Sequence, residues 1–132
     1  MSNWKRMVDV STEYVTESRT NESAMERMAC RADLGRDDVP PPRVEAHLHG
    51  WIMFCGGVDD LDKRIRAMQK AGADTQICAI YALANLGNAI LINFDSGAEP
   101  MDAVERCDKG DIGGSLQEGA TPEQIIAWAQ QK

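Results

Sequence analysis

The stretch Val44-Glu-Ala-His-Leu-His-Gly-Trp-Ile-Met-Phe-Cys55 decides the class of fold. Its alternation predicts one strand, with Ala46, Leu48, Gly50, Ile52 and Phe54 pointing one way and Glu45, His47, His49, Trp51, Met53 and Cys55 the other. Gly56-Gly57 ends it. Asp59 and Asp60 then open a helix in which Leu61, Ile65 and Met68 recur at i, i+4, i+7, while Lys63, Arg64, Arg66 and Lys70 solvate the remainder. After Ala71-Gly72-Ala73, Asp74 can cap a second helix through Leu86, closed by Gly87. Nine of the twelve residues from Thr75 to Leu86 are apolar. Such a helix is either the central buried one or one that lends a second face to a partner. Ala89-Ile-Leu-Ile-Asn-Phe94 follows as a strand for the interior of a sheet.

Upstream, Arg36-Asp-Asp-Val-Pro-Pro-Pro-Arg43 is a linker, because three consecutive prolines offer no backbone N–H. Ser23-Ala-Met-Glu26 has the form of a capping box for a helix carrying Ala24, Met25, Met28, Ala29 and Ala32, with Gly35 suited to its end. Met7 to Val15 reads as a first strand on the period-two recurrence of Val8, Val10, Thr12 and Tyr14. Downstream of Asp95 lies an acidic, Gly-punctuated extension with a short helix near Met101 to Cys107. Thr121-Pro122-Glu123-Gln124 then starts a helix bearing Ile125, Ile126 and Trp128. The order β-α-β-α-α-β predicts an α+β fold: a small mixed sheet with helices on one face. Residues 1–97 are expected to form the core domain, and 98–132 an acidic, mostly helical extension.

The chain has 132 residues with 43% hydrophobic and 27% charged, which excludes wholesale disorder and fibrous repeats. Its longest uncharged apolar stretch, Thr75 to Phe94, is interrupted by Asn85, Gly87, Asn88 and Asn93, so no membrane span is expected. Met-Ser-Asn-Trp-Lys-Arg leads into Asp9 and Glu13 without an apolar run, which predicts a cytoplasmic address. The formal charge is −7. From Asp95 to Lys132 eight acids stand against three bases, so −5 of it lies there. An acidic surface repels a phosphate backbone and suits a basic groove on a protein. It also serves simply to keep a small protein soluble. Cys30, Cys55, Cys78 and Cys107 form no C-x-x-C pair, which argues against a zinc ribbon or a redox motif; Cys55 and Cys78 are expected to act as small hydrophobes.

Three short stretches occur in order: Ser11-Thr12-Glu13-Tyr14-Val15-Thr16, the strand around His49-Gly50-Trp51-Ile52, and Tyr81-Ala82 leading to Ile92-Asn93-Phe94-Asp95-Ser96-Gly97. Together they resemble a family of short accessory proteins carried on plasmids, prophages and phages, with the pattern S-T-x-H-I-T, an aromatic-glycine strand, and F-A…F-D-x-G. The resemblance spans residues 7 to 97. At Tyr14 the family pattern has histidine, so no role for that histidine carries over. A mobile-element setting, in which small accessory proteins antagonise host nucleases, is what the resemblance implies.

Glu45, His47 and His49 share one face of the expected strand, at about 6.5–7 Å between successive positions. Two imidazoles can use that spacing to hold a metal, given further ligands from elsewhere, and a polar solvent-facing strand explains the same residues. Cys55-Gly56-Gly57 resembles a phosphate cradle, yet Asp59 and Asp60 would repel an anion. No G-x-S-x-G or paired Cys and His supports nucleophilic catalysis. These residues favour a non-catalytic protein without a cofactor, whose partner is a host protein or nuclease complex with a basic surface, and which binds neither nucleic acid nor membrane. The candidate contacts are Asp102, Glu105 and Asp108 for charge and Trp128 as an apolar anchor, although Trp128 can equally dock on the protein's own core. The alternatives are a metal protein or enzyme centred on His47 and His49, and a homo-oligomer pairing through Thr75 to Leu86.

Overall fold

The computed structural model describes residues 7–16, 19–30, 39–98, 111–112 and 116–132. The expected helix near Met101 to Cys107, the helix end at Gly35, and Asp102, Glu105 and Asp108 lie outside those residues.

The architecture is α+β, with a four-stranded mixed sheet covered on one face by helices. Strand β1 is Met7–Ser11, followed by a single turn of helix, α1 (Glu13–Thr16), and by α2 (Arg19–Cys30). The first strand is therefore shorter than its alternation suggests. At Thr12 the chain turns, with the Val15 N–H donating to the Thr12 carbonyl at 2.8 Å, and this tucks Tyr14 and Val15 into the core. Helix α2 also starts four residues before the expected capping box, so Ser23 and Glu26 sit on exposed positions within it. What fixes its first turn is Asn21, whose Nδ2 donates to the Tyr14 carbonyl at 2.8 Å while its Oδ1 accepts from the Asp74 N–H at 2.7 Å.

The segment read as one long strand is a hairpin. Strand β2 (Val44–His47) and strand β3 (Gly50–Phe54) pair antiparallel around the two-residue turn Leu48-His49. The fold-back reverses the facing of the second half. Val44 and Met53 are register partners and are both buried, so Trp51 and Met53 point inward, while Ile52 and Phe54 point to the other face. Helix α3 (Leu61–Ala71) closes on Gly72 at φ 108, and α4 (Thr75–Leu86) starts on Asp74, whose carboxylate accepts from the Ile77 N–H at 3.1 Å.

Strand β4 (Leu91–Asp95) then enters between β1 and β3, giving the order β1-β4-β3-β2. It runs parallel to β1 and antiparallel to β3. Its interior place matches its apolar sequence. Only Ile92 and Phe94 face the helices, however, and Leu91, Asn93 and Asp95 look out of the sheet.

A short pair, β5 (Asp111–Ile112) and β6 (Leu116–Gln117), precedes α5 (Pro122–Gln130). The capping box at Thr121 and Gln124 forms as expected, with bonds of 3.1 and 2.9 Å. Residues 116–132 share the core of the preceding elements: Leu116, Ile125, Trp128 and Ala129 join the same buried cluster. The cause is α4. Being apolar all round, it needs cover on the side away from the sheet, and α3 with α5 supplies it. Ile77, Ile80 and Tyr81 are each at or below 1% exposure, so α4 is the central helix.

Candidate functional site: the open face of the sheet and a buried arginine

Among the described residues, no second layer covers the face of the sheet turned away from the helices. Register places three rows across it. Met7, Leu91 and Phe54 form an apolar row; Asp9, Asn93, Ile52 and Glu45 form the second; Ser11, Asp95, Gly50 and His47 form the third. Arg43 lies over the Phe54 ring at 5.8 Å and pairs with Glu45 at 2.7 Å, closing the apolar row with a cation.

A chain of hydrogen bonds crosses this face. Asn93 Nδ2 donates to Asp9 Oδ1 at 3.1 Å, which leaves Asn93 Oδ1 as the acceptor for His47 Nε2 at 2.9 Å. His47 Nδ1 accepts from the His49 backbone N–H at 3.1 Å. With Nδ1 accepting, the His47 tautomer that fits this chain of bonds carries its proton on Nε2. Both nitrogens are thus committed within the protein. His49 itself sits exposed on the turn, off the strand face on which alternation placed it beside His47. Glu45 stays on the His47 face but is engaged by Arg43. Among the described residues, no group of three or more His, Cys, Asp or Glu side chains is disposed to hold a metal ion.

Arg64 is the second centre. Sequence reasoning grouped it with the solvating bases, but it is buried at 8% exposure. Position 64 is three residues after Leu61 and four before Met68, on the apolar stripe, and that spacing was the available signal. Its Nη1 donates to the Tyr81 hydroxyl at 2.5 Å and to Asn85 Oδ1 at 3.5 Å; its Nη2 donates to the carbonyls of Gly57 and, at 2.7 Å, Asp59. No carboxylate pairs with it among the described residues. The partners it has among the described residues are all neutral oxygens. Burial pushes the Tyr81 phenol up to about 12 against the pull of Arg64, so it stays neutral. Burial likewise raises the Cys55 thiol to about 11 despite the same guanidinium, and pushes Cys78 up further. Neither thiol is a ready nucleophile at neutral pH.

A third polar cluster opens α4. Glu118 Oε1 accepts from the Thr75 N–H and hydroxyl, both at 3.1 Å, and Thr75 Oγ1 accepts from the Gly119 N–H at 2.9 Å. Burial raises the Asp74 carboxyl above its ordinary value, partly offset by the Ile77 N–H and Asn21, with Glu118 adding repulsion. A carboxyl whose folded-state pKa is raised contributes stability that is complete below the unfolded value and is lost as pH rises through the folded one. Asp74→Asn keeps an N-cap acceptor and removes the charge. The variant should therefore gain urea resistance over the parent at pH 7, with the gain shrinking as pH falls toward about 4, the ordinary carboxyl range. An equal difference at both pH values would show that the Asp74 charge is not disfavoured.

Of the remaining expected site residues, Trp128 packs into the protein's own core at 5% exposure, with Lys132 over its ring at 5.2 Å. Its indole has little surface to offer a partner. No described helix is long and apolar enough to cross a membrane. No family model, curated protein or solved structure matches the chain.

Proposed function

We propose that the chain is a non-catalytic binding protein of a mobile genetic element, acting as a counter-defence inhibitor of the anti-CRISPR or anti-restriction type. It would occupy a basic nucleic-acid groove of a host nuclease complex. The observation that carries this reading is the charge. The formal total is −7, and on the open sheet face Asp9, Glu45 and Asp95 stand against Arg43 alone among the described residues. Such a surface competes with a phosphate backbone for a cationic groove and is drawn in by long-range attraction. The mobile-element setting comes from the three stretches ending in Phe94-Asp95-Ser96-Gly97.

The test is inhibition of reconstituted CRISPR effector and restriction complexes, with association followed at two salt concentrations. Binding should block nucleic-acid loading, and association should slow markedly between about 0.05 and 0.5 M salt as the charges are screened. Asp9→Lys combined with Glu45→Lys should slow it further. A tight, salt-sensitive complex of the protein with duplex or single-stranded nucleic acid would sink the reading, as would unimpaired cleavage across the panel.

A further inference from the structure

Where α3 begins, α4 ends and α5 passes, a groove of about 340 Å³ opens to the surface. Its floor is apolar, formed by Val58, Leu61, Leu86 and Ile126, and its rim carries Asp62 and Glu123. Val58 is 55% exposed and shares this lining with the half-buried Leu86 and Ile126, so the apolar surface here is contiguous rather than a single scattered side chain. The backbone on both sides of Val58 is held by the buried Arg64, which bonds the carbonyls of Gly57 and Asp59, while the Val58 carbonyl accepts from the Leu61 N–H at 3.3 Å. A buried cation without a carboxylate partner among the described residues thus fixes the loop that presents an exposed valine.

We propose that this groove docks an apolar side chain carried on a basic segment of a protein partner. The proposal rests on the reading of the chain as an acidic binding protein and deepens it by adding a second contact, on the helical side of the molecule. The volume holds one or two large apolar side chains. The charge at the rim selects what flanks them: Asp62 has no ion-pair partner among the described residues, whereas Glu123 is shared with Arg66 at 3.3 Å. A Lys or Arg next to the inserted side chain would meet Asp62 first. An anionic lipid surface is disfavoured by the same carboxylates. Because Arg64 holds the Val58 loop in place beforehand, little ordering entropy is lost on docking.

The probes are three synthetic peptides: an amphipathic leucine–lysine helix, its leucine–glutamate counterpart, and a lysine–serine peptide without apolar residues. Methyl resonances of Val58, Leu61, Leu86 and Ile126 report the groove. The leucine–lysine peptide should shift them, and the other two should not. Ile126→Glu should weaken binding about tenfold or more, as loss of a central apolar contact does, and Asp62→Lys about fivefold at low salt. Val58→Ser, at an exposed position, should also weaken binding and guards against a folding defect in the Ile126 variant. Equal binding of the leucine–glutamate peptide overturns the basic partner. Concentration-dependent shifts without peptide overturn it in favour of a second copy of the chain. If the leucine–lysine peptide shifts only Asp9, Glu45 and Asn93, the groove is overturned while the acidic-protein reading stands. If it shifts nothing, the groove again falls, and the nuclease assay decides the parent reading by itself.

Discussion

Gly50→Ala should cost about 3 kcal/mol or more, at the upper end of what overpacking does, and should shift the urea midpoint accordingly. At Gly50 an added Cβ would lie 1.8 Å from the Phe94 carbonyl oxygen and 2.9 Å from the Thr12 methyl group. The oxygen belongs to the backbone of β4, the strand that joins the two halves of the sheet, so no side-chain rotation relieves the contact. Relief requires β3 to separate from β4 at the Gly50 and Asp95 pair, next to the turn that orients His47. Gly97→Ala is the control, because its added Cβ meets only the Asp95 carboxylate at an ordinary 3.4 Å. A Gly50→Ala protein with the parent's midpoint would mean that β3 and β4 do not approach this closely.

Arg64→Met should be comparably damaging. It fills much of the same volume but removes the donors to the Tyr81 hydroxyl, the Asn85 amide oxygen and the carbonyls of Gly57 and Asp59. Several buried or half-buried acceptors losing a charged donor together imply about 3–5 kcal/mol, after allowing for water reaching the two loop carbonyls. Arg64→Lys should recover only part of this, since one ammonium cannot span acceptors on both sides of the guanidinium plane. Amide exchange around Val58 and Leu61 should quicken in both variants. Unchanged stability of Arg64→Met would show that an apolar side chain replaces the cation without loss, a known outcome at buried charged sites.

Helix signals proved the most legible part of the sequence because their chemistry is local. The Asp74 cap lies three residues from the N–H it binds, and Thr121 and Gln124 satisfy each other across one turn. The apolar composition of Thr75 to Leu86 likewise marked the central helix. The hairpin was hidden for a physical reason. Leu48-His49 lacks the Asn-Gly or Asp-Gly chemistry that marks tight turns, and the residues on either side keep alternating, so nothing in the pattern records the reversal. At the N-terminus, Thr12 and Tyr14 fit a strand by spacing, yet burial of Tyr14 and Val15 favoured a turn of helix. The polar chain from Asp9 through Asn93 to His47 could not be seen without knowing that β4 lies between β1 and β3. Arg64 could have been found, since its position lies on the apolar stripe.

The central placement of β4 also sets a timetable for assembly. Asp9 and Asn93, hydrogen-bonded neighbours in the folded sheet, are 84 residues apart in the chain. Among the described strands β1 pairs with β4 alone, whereas β2 and β3 have each other within a few residues. At a synthesis rate of about 5–20 residues per second, β1 waits roughly 4–17 s after its own synthesis for its partner to be made. Throughout that interval Val8 and Val10 remain an unsheltered apolar edge, and closing the parallel pair must overcome the entropy of the long intervening loop. Strand β1 is thus translated ahead of every other described element and is among the last to be secured, which makes it a segment on which chaperone capture and aggregation would act during biosynthesis.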